Sequence, residues 1–257
     1  MVTGLAFLAT GVASLFAEST LVRWSQRRSA HLAAWTVALA MFALASALLA
    51  VGTSTGWDRG TFRFFYLLGA VVNVPWLALG TVALLLGPVA ARRARWFVVF
   101  FSGLAMGVLL SAPMHAIRGT KIPVGKDIFG AFPRALAGVG SGIGATVILV
   151  GAIGSAIRYF RNRATPGSGR MAGANAVIAL GTLVLSSGGL VQGIVGHDEA
   201  FSLSLAIGIS VIYGGFLLAD GRRPVLADEA SGNDQSGRSS RRTSLPARLR
   251  GSSSTTS

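Results

Sequence analysis

The chain has 257 residues and no cysteine, and 52% of its residues are hydrophobic while only 12% are charged. A water-soluble domain of this length would need far more polar surface, so the composition excludes an ordinary soluble protein. The lack of cysteine excludes disulfide bonds, thiolate metal sites and cysteine nucleophiles. The net charge of +14 is spread over short connecting segments and a C-terminal tail, so we expect no nucleic-acid partner.

Seven hydrophobic stretches of about twenty residues follow one another before residue 220. Stretches of this length match a hydrocarbon core of about 30 Å, in which every backbone polar group must be paired inside a helix. The sequence therefore predicts an all-α bundle of seven transmembrane spans. They fall at 3–22, 31–52, 63–87, 96–113, 135–157, 171–195 and 200–219.

Basic residues are unevenly divided between the two sets of alternating loops. The odd loops and the segment after the last span hold twelve Lys and Arg residues, against six in the even loops. Because basic residues near span ends stay in the cytoplasm, we expect the N-terminus outside and the C-terminus inside. The first span has its arginines after the apolar run, the pattern of a retained helix rather than a signal peptide. The preference for Arg over Lys, with abundant Ala, Gly and Val, indicates a GC-rich bacterial genome and hence a bacterial cytoplasmic membrane.

The chain changes character after residue 220. Residues 1–220 hold the seven spans, whereas residues 221–257 are rich in Ser, Arg, Gly and Thr and too poor in apolar residues to form a core. We expect a disordered cytoplasmic tail. Its run Arg238-Ser-Ser-Arg-Arg-Thr-Ser244 either binds anionic lipid, with phosphorylation as a release, or is an inert solvated segment.

The third span carries the richest set of polar and small residues. Its Gly69, Asn73, Trp76 and Gly80 have the spacing of one helix face. Pro75 removes the usual hydrogen-bond partner of the Val71 carbonyl, so we expect a kinked helix with an amide near the middle of the membrane. This arrangement suits coordination of a cation or a polar ligand, as in the broken helices of transporters. The alternative is that Pro75 only bends the helix while Asn73 bonds to a neighbouring helix.

The first span holds the only acidic residue in any predicted span core. Thr10, Ser14 and Glu18 follow at intervals of four and share one helix face. Inside the membrane, the neutral form of Glu18 would suit a proton relay and its charged form would suit a cation ligand. The alternative is that Glu18 reaches interfacial water or pairs with Arg23.

Glycines are concentrated in the fifth span, in the run Gly138-Val-Gly-Ser-Gly-Ile-Gly144. The run matches the dinucleotide-binding pattern by chance, because no strand precedes it and it lies in an apolar helix. We interpret it as a set of faces for close helix packing, either within one bundle or between two copies in a homo-oligomer.

Three side chains in the even loops form a second candidate site. His115, His197 and Asp198 are brought to the outer surface by the predicted topology and are of the types that ligate a metal or haem iron. The alternative is that they are ordinary interfacial residues. The loop from Met114 to Arg134 is basic but dotted with Ile and Phe, which predicts an amphipathic lid.

Part of the chain resembles a known group of proteins. The segment Phe62-Arg-Phe-Phe-Tyr-Leu-Leu-Gly-Ala-Val-Val-Asn-Val-Pro-Trp-Leu-Ala-Leu-Gly-Thr81 and the entry to the second span, His31-Leu-Ala-Ala-Trp35, resemble those of uncharacterised seven-helix membrane proteins of actinobacteria. The likeness extends over the first four spans. It implies a bacterial membrane protein and supplies no activity.

Two classes of function fit these patterns. The first is a small transporter or channel for a proton, a cation or a small polar solute that uses Glu18 and Asn73. The second is a receptor-like or partner-binding membrane subunit without catalytic activity. An enzyme is disfavoured because the outer face offers too few convergent acids and bases, and we expect no cofactor.

Overall fold

The computed structural model describes residues 1–117, 119–161, 168–195 and 197–220. The described residues form helices joined by short connections, apart from one isolated β-bridge between Met114 and Phe129. A π-helical segment, Tyr66–Val72, separates α3 from α4. The helices are α1 (Val2–Arg27), α2 (Ala30–Thr55), α3 (Arg59–Phe65), α4 (Asn73–Leu85), α5 (Gly87–Ser111), α6 (Gly125–Ile128), α7 (Ala131–Arg161), α8 (Ser168–Val195) and α9 (Asp198–Asp220).

Seven helices in the described part of the chain are long and apolar enough to cross a membrane. This number confirms the prediction from hydropathy, and the third of them, Arg59–Leu85, contains α3, the π-helical segment and α4. Most of the helices are longer than the apolar stretches. For example, α5 begins at Gly87 and so includes Arg92, Arg93 and Arg95, which the sequence placed in a loop. Helical hydrogen bonding continues into the polar flanks because it does not depend on hydrophobicity.

Local signals explain several of the helix ends. Arg28 after α1 adopts the left-handed conformation (φ 49°), and its N–H donates to the Trp24 carbonyl, which is a common way to end a helix. Asp58 caps α3 by accepting hydrogen bonds from the backbone N–H groups of Gly60 and Thr61. These ends keep the connections α1–α2 and α2–α3 short.

The membrane-spanning helices pack in a closed sequence of contacts. α2 contacts α1 and α4, α4 contacts α7, and α7 contacts α8. α9 packs against α8 and also against α1. Ala206 and Ile209 of α9 lie in one apolar cluster with Ala9 and Ala13 of α1. α5 lies against the π-helical segment, α4 and α7.

Residues 112–117 and 119–130 fold over one end of the bundle and are called the cap below. Ile122, Ile128 and Phe129 of the cap are buried against an aromatic cluster that includes Trp57 and Phe62. The predicted amphipathic loop is thus a folded segment with its apolar side chains turned inward. Phe132, which was expected to belong to it, lies in α7 and is exposed.

Hydrogen bonds fix the cap to distant parts of the chain. The Trp57 N–H donates to the Gly119 carbonyl at 3.0 Å. The Ile122 N–H donates to the Asp198 carboxylate at 3.0 Å, and the Lys126 ammonium donates to the Ile194 carbonyl at 3.2 Å. The cap is therefore tied both to the α2–α3 junction and to the α8–α9 junction.

α8 and α9 approach each other through glycines. A Cβ on Gly181 would lie 2.9 Å from the Gly208 carbonyl oxygen, and a Cβ on Gly208 would lie 3.1 Å from the Gly181 carbonyl oxygen. The two helices thus touch backbone to backbone, a packing mode typical of membrane helices.

The predicted tail, residues 221–257, lies outside the described residues, and so does its run Arg238–Ser244. Its disorder and its affinity for anionic lipid stay predictions. Residues Met1–Ala219 form one compact unit.

Candidate functional site

The third span changes its helical register in the middle of the membrane. In the π-helical segment Tyr66–Val72 each N–H bonds five residues back, and α4 then restores the usual spacing of four. A return from five to four leaves one carbonyl without a donor, and Pro75 removes a further N–H. At the end of the π-helical segment there are therefore more backbone carbonyl groups than backbone N–H groups of the same span to bond them.

The freed carbonyls face α7. The Ser141 hydroxyl donates to the Ala70 carbonyl oxygen at 2.5 Å. The Val71 carbonyl, which the sequence expected Pro75 to free, lies 2.8 Å from the position that a Cβ on Gly140 would occupy. Gly140 thus lets α7 approach the third span, and Ser141 supplies a hydrogen-bond donor from outside the span.

Asn73 is the first residue of α4 and lies midway along the span. Its side chain is only 2% exposed, and its Oδ1 atom is buried without a hydrogen-bond partner. Leaving a buried acceptor unpaired costs about 1–3 kcal/mol. No other described residue donates a hydrogen bond to this oxygen. Among the described residues, Oδ1 therefore does not make the bond to a neighbouring helix that was the alternative explanation for Asn73.

Other buried polar atoms without a partner lie near the ends of the membrane-spanning helices or between them. Among the described residues they are Ser29 Oγ, Trp57 Nε1, Arg63 Nε, Gln192 Oε1 and Ser202 Oγ. Interfacial water reaches the ends of a membrane protein more easily than its middle. Asn73 is distinguished from this group by its depth along the span.

The three residues predicted to share one face with Asn73 divide between two neighbouring helices. Gly69 lies against Ala45 of α2, and Gly80 lies under the Trp35 ring, also on α2. Trp76 instead turns to α5, where its Nε1–H donates to the Ser102 hydroxyl at 3.2 Å. Trp76 and Gly80 both follow the π-helical segment in α4, so the difference lies in the direction of the long Trp76 side chain, which helical spacing does not fix.

Glycines of α7 make the surface on which the broken span rests. A Cβ on Gly144 would lie 3.0 Å from the Val74 carbonyl oxygen, and one on Gly151 would lie 2.7 Å from the Thr81 side chain. Gly138 and Gly142 on the opposite side are exposed and have nothing within 4 Å of a Cβ. One glycine face of the fifth span is therefore used inside the chain, while a homo-oligomer through the other face stays a prediction.

The Thr10, Ser14 and Glu18 face of α1 is turned away from Asn73. Ser14 and Glu18 are exposed on the outer surface of the bundle, and the Thr10 hydroxyl donates to the Ala6 carbonyl of its own helix at 2.8 Å. The buried polar residue of α1 is instead Thr20, which accepts a hydrogen bond from Thr36 of α2 at 3.1 Å. The spacing of the predicted face was right, but spacing alone does not tell which face of a helix points inward.

The candidate metal or haem residues hold the cap in place. The backbone N–H of His115 donates to the Ile128 carbonyl at 3.1 Å, and the two oxygens of Asp198 accept from the Ile122 N–H and the Gln192 amide. His197 is exposed. Within the described ranges, no group of three or more His, Cys, Asp and Glu residues is placed to hold a metal ion.

Sequence reasoning missed Ser141 and Thr20 as individual contributors. Ser141 carries a weak signal, since it is the single hydroxyl inside the glycine run of the fifth span. Only its orientation towards Ala70 makes it part of the site, and orientation is not visible in the sequence.

Seven helices that can cross a membrane define this chain as a multi-pass membrane protein. No family model, no curated protein and no solved structure matches it. The resemblance of its first four spans to actinobacterial seven-helix proteins thus stays a prediction.

Proposed function

We propose that this chain is a small membrane transporter or channel in which the broken third span binds the transported cation or polar solute through Asn73. The observation that carries the proposal is the buried, unpaired Oδ1 of Asn73 beside a change of helical register. Intramembrane polar groups are costly and mark ion and substrate paths, and irregular backbone at this depth is a feature of transporter binding sites.

The chemistry of the site selects among ligands. An amide oxygen and backbone carbonyls are neutral oxygen donors, which suit a metal cation or the N–H and O–H groups of a solute. Glu18, the only acid in a predicted span core, is exposed on α1 and does not add charge to the site. A neutral site favours a monovalent cation or an uncharged polar solute, because the cost of dehydrating an ion rises steeply with its charge.

Proton transfer through Glu18 is a separate part of the proposal. Its exposure on α1 favours exchange with interfacial water rather than a relay to Asn73 through the bundle. We therefore propose Asn73 as the site of binding and treat Glu18 as an independent test position.

A second candidate function is a partner-binding membrane subunit. The observation that favours it is the exposed face of α1, where Gly4, Gly11 and Glu18 follow at intervals of seven, and where a Cβ on either glycine would meet no described residue within 4 Å. A carboxyl group facing lipid is costly, whereas against a helix that bears a hydrogen-bond donor or a basic group it would be paired.

Flux in proteoliposomes tests the transport proposal. Fluxes of Na⁺, K⁺ and protons are measured for the wild type, Asn73→Leu and Asn175→Leu. Asn175 is a matched control because its side-chain amide donates to the Met171 carbonyl of its own helix at 2.9 Å. We expect Asn73→Leu to abolish flux and Asn175→Leu to retain it.

Thermal unfolding of the same variants separates a ligand site from a structural contact. Removing an unpaired buried acceptor relieves its desolvation cost, so Asn73→Leu should unfold at the same or a higher temperature than the wild type. Flux that persists in Asn73→Leu would reject Asn73 as the binding site. Glu18→Gln is measured in the same assay. Loss of flux in this variant would place Glu18 on the transport path, whereas unchanged flux would favour a role for Glu18 in binding a partner.

A further inference from the structure

A groove lies between the end of α7 and the start of α8, far along the chain from Asn73. It has a volume of about 720 Å³, and its walls are apolar. This volume lies within the range of ligand pockets in proteins, about 300–1,000 Å³. The lining residues include Ala156, Ile157 and Phe160 of α7 and Gly169, Gly173 and Ala176 of α8.

The shape of the groove comes from the residue types on α8. Gly169, Gly173 and Ala176 are all small and follow the helix at intervals of four and three, so they leave one shallow strip along it. A Cβ on Gly169 or on Gly173 would meet nothing within 4 Å. The strip extends over seven residues, or about 10 Å at the rise of an α-helix.

Two arginines directly follow groove-lining residues along the chain, Arg161 after Phe160 and Arg170 after Gly169. Arg161 follows Ile157 by one helical turn on α7, and Arg170 precedes Gly173 by three residues on α8. Both are exposed, and neither makes a hydrogen bond or an ion pair with another residue in the part of the chain that the structure describes. No acidic residue occurs between Asp127 and Asp198, so this stretch of sequence has no carboxylate of its own to neutralise them.

From this charge complementarity we infer that the groove binds one anionic phospholipid. Its phosphate lies against Arg161 and Arg170, and one acyl chain lies along the strip of Gly169, Gly173 and Ala176. Basic pockets between membrane helices recognise lipid headgroups in this way. Guanidinium groups suit the phosphate because they donate several hydrogen bonds in a fixed plane.

The apolar part of the groove distinguishes this site from general attraction to an anionic surface. Arginines alone would attract anionic lipid without holding a particular molecule, whereas the strip on α8 adds contact with the acyl chain. The inference does not depend on the transport proposal, since none of these residues belongs to the broken third span.

The test measures lipid binding to the purified full chain in a neutral detergent. Native mass spectrometry counts bound lipids, and thermal unfolding is followed with added phosphatidylglycerol, phosphatidylcholine or inorganic phosphate. We expect one phosphatidylglycerol to remain bound and to raise the unfolding temperature, with no such effect from phosphatidylcholine or phosphate. Equal effects of the two lipids would overturn the inference, and so would an effect of phosphate alone.

Three variants identify the parts of the site. Arg161→Gln with Arg170→Gln should weaken binding by roughly 25-fold, since each basic residue near the headgroup contributes about 1 kcal/mol. Gly173→Leu fills open space, so it should fold normally while excluding the acyl chain and losing the bound lipid. Arg92→Gln with Arg93→Gln is the matched control, because these arginines are exposed at the α4–α5 junction on the same side of the membrane by topology.

Two results would contradict the proposed site. Equal weakening by the control pair would show that only surface charge attracts the lipid. Conversion of a dimeric wild type into a monomer by Gly173→Leu, without loss of lipid, would show that the groove is an interface between protein chains.

Discussion

The Ser141 hydroxyl of α7 donates a hydrogen bond to the Ala70 carbonyl oxygen at the point where the third span leaves its π-helical register. This bond adds a donor from a neighbouring helix at a point where Pro75 has no N–H and the change of register leaves one carbonyl of the span without a backbone partner. A hydroxyl on one helix thus supports an irregularity in another.

Replacement of Ser141 by Ala should destabilise the protein. The Ala70 carbonyl would lose the Ser141 hydroxyl as a donor in an apolar environment. A hydrogen bond between membrane helices contributes about 0.6–1.7 kcal/mol to the free energy of unfolding. Thr146→Ala is the control, since Thr146 is exposed on the same helix and bonds only to the Gly142 carbonyl. Thermal unfolding in detergent measures both, and equal stability of Ser141→Ala and wild type would argue against the role given to Ser141.

Substitution of Gly80 by Ala should displace Trp35. The Trp35 ring covers Gly80 so closely that a Cβ would overlap it, and its Nε1–H donates to the Leu77 carbonyl at 3.2 Å. Overpacking of this kind costs about 1–3 kcal/mol. Gly103→Ala on α5 is the matched control, because a Cβ there meets nothing within 4 Å. Alanine also loses less backbone conformational entropy than glycine when the helix forms, so this variant should be at least as stable as the wild type. Trp fluorescence reports the displacement, and an unchanged spectrum in Gly80→Ala would contradict it.

Replacement of Asp198 by Ala should loosen the cap. The amide of Ile122 would lose its acceptor, and Gln192 would lose the acceptor of its side-chain amide. Hydrogen exchange at the Ile122 amide and proteolysis within residues 112–130 should therefore both become faster. Asp127→Ala is the control, since its exposed carboxylate makes no hydrogen bond with any described residue. Equal protection in the two variants would show that the cap is held without Asp198.

The Asp58 cap of α3 predicts a dependence of stability on pH. Hydrogen bonds from the Thr61 side chain and from the Thr61 and Gly60 backbone hold the pKa of Asp58 below its usual value of 3.8. A lowered pKa means that the carboxylate stabilises the fold above its unfolded pKa and loses this effect as the pH falls through the folded pKa. Asp58→Ala should cost about 0.5–2 kcal/mol at neutral pH. The difference from wild type should shrink below the usual carboxyl range, and a constant difference in unfolding temperature across pH would contradict this account.

The number of spans and their approximate positions followed from the sequence because hydropathy over about twenty residues is a direct consequence of bilayer thickness. The same argument could not locate helix ends such as Arg27 or Gly87, since polar residues continue a helix outside the hydrocarbon. Orientation of the termini stays a prediction from the distribution of basic residues.

The candidate site was predictable only in part. Asn73 and Pro75 stood out as polar and helix-breaking residues in an apolar span, and the structure places both at the break. Gly69 and Gly80 both lie against α2, as one face would, whereas Trp76 turns to α5, because spacing along a helix does not fix the direction of a long side chain. Glu18 shows a further limit, because helical periodicity groups residues on a face without telling whether that face meets lipid or protein.

The cap has a consequence for the order in which the chain matures. Its amide at Ile122 and its anchor at Asp198 are separated by 76 residues, with the whole of α7 and α8 between them. A ribosome delivers the cap long before it delivers the anchor, so the cap is held on one side only until the last helix pair is inserted. Closure of the cap is therefore a late step of folding, and protection of the Ile122 amide reports that α9 has joined the bundle.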